Sequence, residues 1–106
     1  MLYRVIFAPE ALAQLAALYR YIALAASPAT AARYTDAIVE HCERMENFPQ
    51  HGNRRDDVRA GLRITNYKKR TVIAFAVDDE ALLASIIGVY YGGLDYETLL
   101  QLDNED

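Results

Sequence analysis

Apolar and polar side chains alternate or recur at helical spacings in successive stretches of this chain, and the changes of period predict its elements. Residues 1–8 are rich in β-forming side chains, which predicts a short strand, and Pro9 then ends it and suits the first turn of a helix. From Glu10 to about Ala25 the apolar positions follow a helical period and are Leu12, Leu15, Tyr19 and Ile22. The sequence therefore opens with a strand and a helix.

A second helix is predicted directly after the first. Ser27-Pro28 combines an N-cap residue with proline at the first helical position, which leaves only a tight connection between the two helices. The apolar stripe of the second helix consists of Ala31, Tyr34, Ile38, Cys42 and Met45. Phe48-Pro49 ends this helix, so we expect the two helices to form an antiparallel hairpin.

Strand patterns fill most of the second half of the chain. Residues 62–65 alternate apolar and polar side chains, with Arg63 on the polar side, which predicts a strand with one basic face. Residues 71–77 are a near-continuous run of β-forming side chains, as expected for a central strand, and residues 83–91 form another run. Because the turns between these runs are short, we expect antiparallel pairing.

The remaining signals complete one small α+β domain. Asp95 is positioned to cap a short helix that continues through Leu102, and residues 103–106 form an acidic, frayed end. No linker or internal repeat divides residues 1–106. We predict a single domain in the order β-αα-βββ, with an antiparallel sheet packed against an N-terminal helical hairpin.

Composition excludes several classes of protein. Of the 106 residues, 53% are hydrophobic, which is too many for intrinsic disorder, and the net charge of −4 argues against coating of nucleic acid by bulk charge. No stretch approaches the roughly 18 apolar residues of a membrane span. Cys42 has no disulfide partner, and with His41 and His51 it supplies too few ligands for a zinc site. We expect a cytoplasmic protein with no cofactor, metal or membrane contact.

The small net charge hides a separation along the chain. Residues 54–70 contain seven Lys and Arg against only two Asp, a local balance of +5, whereas residues 71–106 contain no Lys or Arg. A run of charge is ordinarily a solvated face. The separation nevertheless favours one local docking surface over a general affinity for anions.

Most catalytic templates are missing, including a phosphate-binding glycine loop and a nucleophile elbow. His41 and Cys42 project from a helix in different directions, and His51 lies in a turn where a surface histidine is ordinary. What remains is a group of basic and tyrosine side chains: Arg59, Arg63, Tyr67, Lys68, Lys69, Arg70, Tyr90 and Tyr91. Their charges and phenol groups suit RNA cleavage, docking of nucleic acid or an acidic protein partner.

Three segments of the chain resemble the ParE/RelE toxin superfamily of bacterial toxin–antitoxin pairs, namely residues 59–63, 71–75 and 91–97. The resemblance covers almost the whole chain, because the family also begins with a strand, a helix start like residues 9–11 and a turn like residues 48–52. It implies a compact toxin fold whose open face is neutralised by a cognate antitoxin, in a heterotetramer or a larger complex.

Two activities divide that superfamily. ParE-like members bind and poison DNA gyrase, whereas RelE-like members cut mRNA on the ribosome, a role that would assign phosphate stabilisation to Arg63 and Arg70 and acid–base work to Tyr91. This chain has Leu94 where many relatives have an arginine, and losing that charge removes stabilisation that phosphoryl transfer needs. The resemblance therefore favours a gyrase inhibitor over an mRNA endoribonuclease, with a weakly toxic or non-toxic homologue as a third hypothesis.

Overall fold

The computed structural model describes residues 2–93 and 96–104, and its elements follow the predicted order. They are β1 (Arg4–Phe7), α1 (Pro9–Ala25), α2 (Pro28–Glu43) with a 3₁₀ turn (Arg44–Glu46), β2 (Asn53–Arg54), β3 (Leu62–Tyr67), β4 (Thr71–Asp78), β5 (Leu83–Tyr91) and α3 (Tyr96–Asn104). The α+β class is confirmed. The two-residue strand β2 is an addition to the prediction, and the predicted cap at Asp95 lies outside the described residues.

The five strands form one mixed sheet in the order β1-β5-β4-β3-β2. The predicted antiparallel pairing holds from β2 to β5, but β1 pairs with β5 in parallel, with Arg4 opposite Leu83 and Phe7 opposite Ile86. The helical hairpin explains this difference. Its two helices run in opposite directions, so the chain leaves the hairpin at the end of the sheet where β1 ended. The chain reverses once to enter β2 and three more times between β2 and β5, and these four reversals give β5 the direction of β1.

The hairpin between α1 and α2 forms as the sequence predicts. The Ser27 Oγ accepts a hydrogen bond from the Thr30 N–H at 3.1 Å, and Pro28 is the first residue of α2. The predicted face of α1 is only half correct, because Leu12 is 54% exposed and the buried positions are Ala11, Leu15, Leu18 and Ile22. An alanine-rich helix has several overlapping apolar stripes. The stripe that packs against the sheet is the one that begins with Ala11.

A β-bulge shapes the sheet face beneath the hairpin. Ala74 lies opposite Gly88 while Phe75 lies opposite Ile86, so Ile87 is an extra residue in β5. The extra residue reverses the alternation of side chains along the strand. Both Ile86 and Val89 therefore join the core under α1 and α2, where Phe75 and Ile38 are fully buried.

The other face of the sheet is covered by α3. Leu100 is fully buried there, in a second core with these residues: Val58, Leu62, Ile64, Ala74 and Tyr90. Arg55 binds the start of α3, because its guanidinium donates to the Tyr96 hydroxyl at 2.9 Å and pairs with the Glu97 carboxylate. No helix in the described part of the chain is long and apolar enough to cross a membrane.

Candidate binding surface

The turn between β3 and β4 meets the end of β5 and brings several predicted site residues together. Tyr67 pairs with Thr71 across a three-residue loop, in which Lys68 takes the left-handed conformation at a φ of 54°. Thr71 in turn pairs with Tyr91, and the Gly92 N–H donates to the Arg70 carbonyl at 2.8 Å. We call the resulting patch the basic–aromatic surface, and it consists of Tyr67, Lys68, Lys69, Arg70 and Tyr91.

Cations lie over aromatic rings in this surface. The Arg70 guanidinium carbon is 5.5 Å from the centre of the Tyr91 ring, and the Lys68 Nζ is 5.9 Å from the centre of the Tyr67 ring. At these distances the ring quadrupole attracts the charge. The arrangement holds positive charge at the surface without neutralising it, which suits an anionic partner.

A row of tyrosines supports the basic–aromatic surface from the hairpin side. The Tyr34 ring lies between those of Tyr67 and Tyr91, with centres 5.7 Å and 5.9 Å apart, and the Tyr21 ring contacts Tyr91 from α1 at 6.0 Å. The hydroxyls of Tyr34 and the buried Thr71 share a hydrogen bond of 2.8 Å. Helix α2 therefore fixes the position of the rings.

An open groove of about 370 Å³ lies beside this surface, between α1 and the end of β5. The pairing of β5 with β1 ends at Ile86. Beyond Ile86, helix α1 lies along this edge of β5 in the described structure, and the Val89 N–H donates a hydrogen bond to the Gln14 Oε1 at 2.7 Å. The groove is lined by Gln14, Ala17, Leu18, Tyr21, Arg70, Val89, Tyr91 and Gly92. Its walls are mostly apolar, with one guanidinium at the end.

Three of the predicted residues lie elsewhere. Arg63 donates to the His51 carbonyl at 3.3 Å, and it is four residues, about 13 Å, along β3 from Tyr67. Tyr90 is only 3% exposed on the opposite face of the sheet, where its ring contacts Tyr96. Arg59 lies in the turn before β3, where its carbonyl accepts the Leu62 N–H. The assigned set of Arg63, Arg70 and Tyr91 is thus divided between two places.

Sequence reasoning missed a pair of histidines. The rings of His41, at the end of α2, and His51, in the following loop, have centres 6.4 Å apart, and the His51 ring stacks on Phe75 rather than lying free at the surface. Burial lowers the pKa of both imidazoles, and neighbouring positive charge lowers it further. The two histidines are ten positions apart in the sequence with no motif between them, and the turn at Phe48-Pro49 was the only available signal.

Two solved structures share this architecture of a helical hairpin on a mixed sheet, and both are toxin–antitoxin complexes. The chromosomal ParDE system from P. aeruginosa superposes with a TM-score of 0.73 at 19% identity, covering 85% of this chain and 96% of that one. The RelBE2 complex from Mycobacterium tuberculosis superposes with a TM-score of 0.64 at 22% identity, covering 87% and 100%. At such identities the likeness is one of fold.

The sequence itself decides the family. Residues 5–96 match the family model described as the ParE toxin of the type II toxin–antitoxin system parDE. The chain belongs to this ParE toxin family. No curated protein matches it in sequence.

Proposed function

We propose that this protein is a cytoplasmic toxin that inhibits bacterial growth by binding DNA gyrase, and that a cognate antitoxin neutralises it. Membership of the ParE family supports the role of toxin. The observation that carries the proposal is the joining of the basic–aromatic surface to the groove beside β5, since Arg70 belongs to both. One continuous area then offers apolar contacts and unneutralised cations to a protein partner.

The groove is suited to the antitoxin. An amphipathic, acidic segment would place apolar side chains against Leu18 and Val89 and direct a carboxylate to Arg70. Charge complementarity of this kind speeds association and selects the partner. Both structural neighbours are toxin–antitoxin complexes, which supports such a partner.

Binding is favoured over RNA cleavage by the separation of the assigned catalytic residues. Phosphoryl transfer needs donors that converge on the oxygens where charge develops. Arg70 lies on the Tyr91 ring, but Arg63 is held under the hairpin by the His51 carbonyl. An mRNA endoribonuclease would need a different set of groups.

The target is tested with purified protein in two assays. We expect inhibition of gyrase supercoiling and no cleavage of ribosome-bound mRNA, and the substitution Arg70→Ala should weaken inhibition at least about tenfold. Arg33→Ala is the matched control, because Arg33 is exposed on α2 and belongs neither to the groove lining nor to the basic–aromatic surface. Site-specific mRNA cuts with normal supercoiling would overturn the gyrase proposal, and unaffected growth on expression without a partner gene would overturn the role of toxin.

Neutralisation is tested with the protein encoded by the neighbouring gene. Ala17→Glu places a carboxylate in the groove, and we expect it to weaken antitoxin binding by about tenfold or more, which corresponds to about 1.4 kcal/mol. Ala16→Glu introduces the same charge one position earlier on α1, at an exposed residue outside the groove lining. Equal effects of the two variants in a calorimetric titration would place the antitoxin elsewhere.

A further inference from the structure

A second cationic site surrounds the histidine pair, separate from the groove beside β5. Four side chains line a pocket of about 180 Å³: His41, Arg44, Phe48 and His51. This is room for about six water molecules at liquid density. The pocket continues the row of rings past Tyr67, whose ring centre is 5.4 Å from that of His41.

The charges that act on the two imidazoles are all positive. His51 and Arg44 act on His41, and Arg63 acts on His51, so that each group makes protonation of the next less favourable. The carboxylate of Asp79 accepts hydrogen bonds from the Tyr3 hydroxyl and the Gln50 amide and does not line this pocket. No carboxylate is among the residues that line this pocket.

One of the residues that line the pocket also has an unpaired polar atom. The Nε2 of His41 is buried and has no hydrogen-bond partner among the described residues. Leaving a buried imidazole nitrogen unpaired is unfavourable, and such atoms usually mark a place for water or a ligand. An anion would both accept hydrogen bonds here and balance the positive charge of Arg44.

We propose that His41, His51 and Arg44 bind a phosphate group, and that the Phe48 ring at the rim of the pocket receives the base of a nucleotide that carries it. Phe48 is 78% exposed, so its ring is open to contact with a ligand. Bases of any sequence stack on such a ring. The site does not depend on the proposed action on gyrase.

Binding at this site should increase as the pH falls. A neutral imidazole has one N–H donor and a protonated one has two, so a phosphate favours the protonated form and takes up protons when it binds. A phosphodiester keeps the same charge across the range in which histidine titrates. Its affinity should therefore be higher at about pH 6 than at about pH 8.

The chain has only two histidines, which makes the test direct. The imidazole resonances of the full-length protein are followed by NMR while inorganic phosphate, or separately the dinucleotide thymidylyl-thymidine, is added in a chloride buffer. We expect both resonances to shift together and Arg44→Gln to weaken binding by about tenfold. Arg33→Gln removes the same charge about 16 Å away along the helix and should leave binding unchanged.

The two probes separate the phosphate from the base. Phe48→Ala, at an exposed position, should leave the affinity for inorganic phosphate unchanged and weaken the dinucleotide by about tenfold. If the dinucleotide binds equally well to this variant, the nucleotide assignment is wrong. If neither probe shifts the histidine resonances, or if Arg44→Gln and Arg33→Gln weaken binding alike, the phosphate site itself is refuted.

Discussion

The hydrogen bond between the hydroxyls of Tyr34 and Thr71 joins α2 to the start of β4, and its removal from either side should have unequal effects. Thr71 is 0% exposed, whereas Tyr34 is partly buried. Tyr34→Phe leaves the threonine hydroxyl in the core without this partner, and an unsatisfied buried group costs about 1–3 kcal/mol. We expect Tyr34→Phe to lower the free energy of unfolding by about 1.5 kcal/mol.

Thr71→Val leaves the hydroxyl of Tyr34 without this partner instead, and Tyr34 is only partly buried. The expected loss is about 0.5 kcal/mol, since valine also suits a buried strand position. The double variant removes both polar groups and should be close to Thr71→Val alone. The two single effects are then non-additive by about 1.5 kcal/mol, a normal coupling for residues in contact.

Urea unfolding followed by far-ultraviolet circular dichroism measures these differences. In a domain of this size 1 kcal/mol corresponds to a melting-temperature shift of roughly 4–8 °C, so thermal unfolding gives an independent check. Tyr19→Phe on the exposed side of α1 is the matched control and should change stability by no more than about 0.5 kcal/mol. Additive single effects, or a Tyr34→Phe variant as stable as the control, would refute the reasoning.

Three further predictions concern buried and half-buried positions. Gly88→Ala should lower the free energy of unfolding by about 1–3 kcal/mol in urea, because a Cβ there would lie 2.4 Å from the Tyr90 hydroxyl oxygen; an unchanged midpoint would contradict this. Because the folded pKa values of His41 and His51 lie below the unfolded value of about 6.5, the unfolded chain binds more protons, and stability should fall as the pH drops through 6.5 in phosphate-free buffer. Substituting both histidines by glutamine should flatten that dependence, and an identical pH profile would count against it. Burial raises the pKa of Cys42 to about 12, so a thiol reagent should label it only as fast as the protein unfolds, and rapid labelling of the native protein would contradict the buried position.

Local signals predicted the elements of this fold well, and long-range pairing was beyond them. Ser27-Pro28 identifies the start of α2 by itself, because capping is a matter of neighbouring residues. The parallel pairing of β1 with β5 joins residues about eighty positions apart, and nothing local records it. The bulge at Ile87 is also invisible in a run of β-forming side chains.

The part of the candidate site that the sequence predicted consists of residues that are neighbours along the chain. Lys68, Lys69 and Arg70 occupy one turn, so their proximity follows from the sequence. Tyr90 and Tyr91 are adjacent in a strand, and the alternation of side chains already implied that only one of them could share a face with that turn. The histidine pair required the structure, since a helix end and a loop meet there only after folding.

Ion pairs in the folded structure neutralise part of the positive charge that the sequence carries between residues 54 and 70. Arg54 pairs with Asp56, and Arg55 pairs with Asp57 and Glu97, contacts that raise the pKa of Arg55 and lower that of Asp57. The charges of these two arginines are thus paired within the protein. Within the described part of the chain the cations of the turn at 68–70 have no ion pair, and they lie beside an apolar groove. The acidic net charge and a local affinity for an acidic partner are therefore compatible, because the acids that balance the sum lie elsewhere.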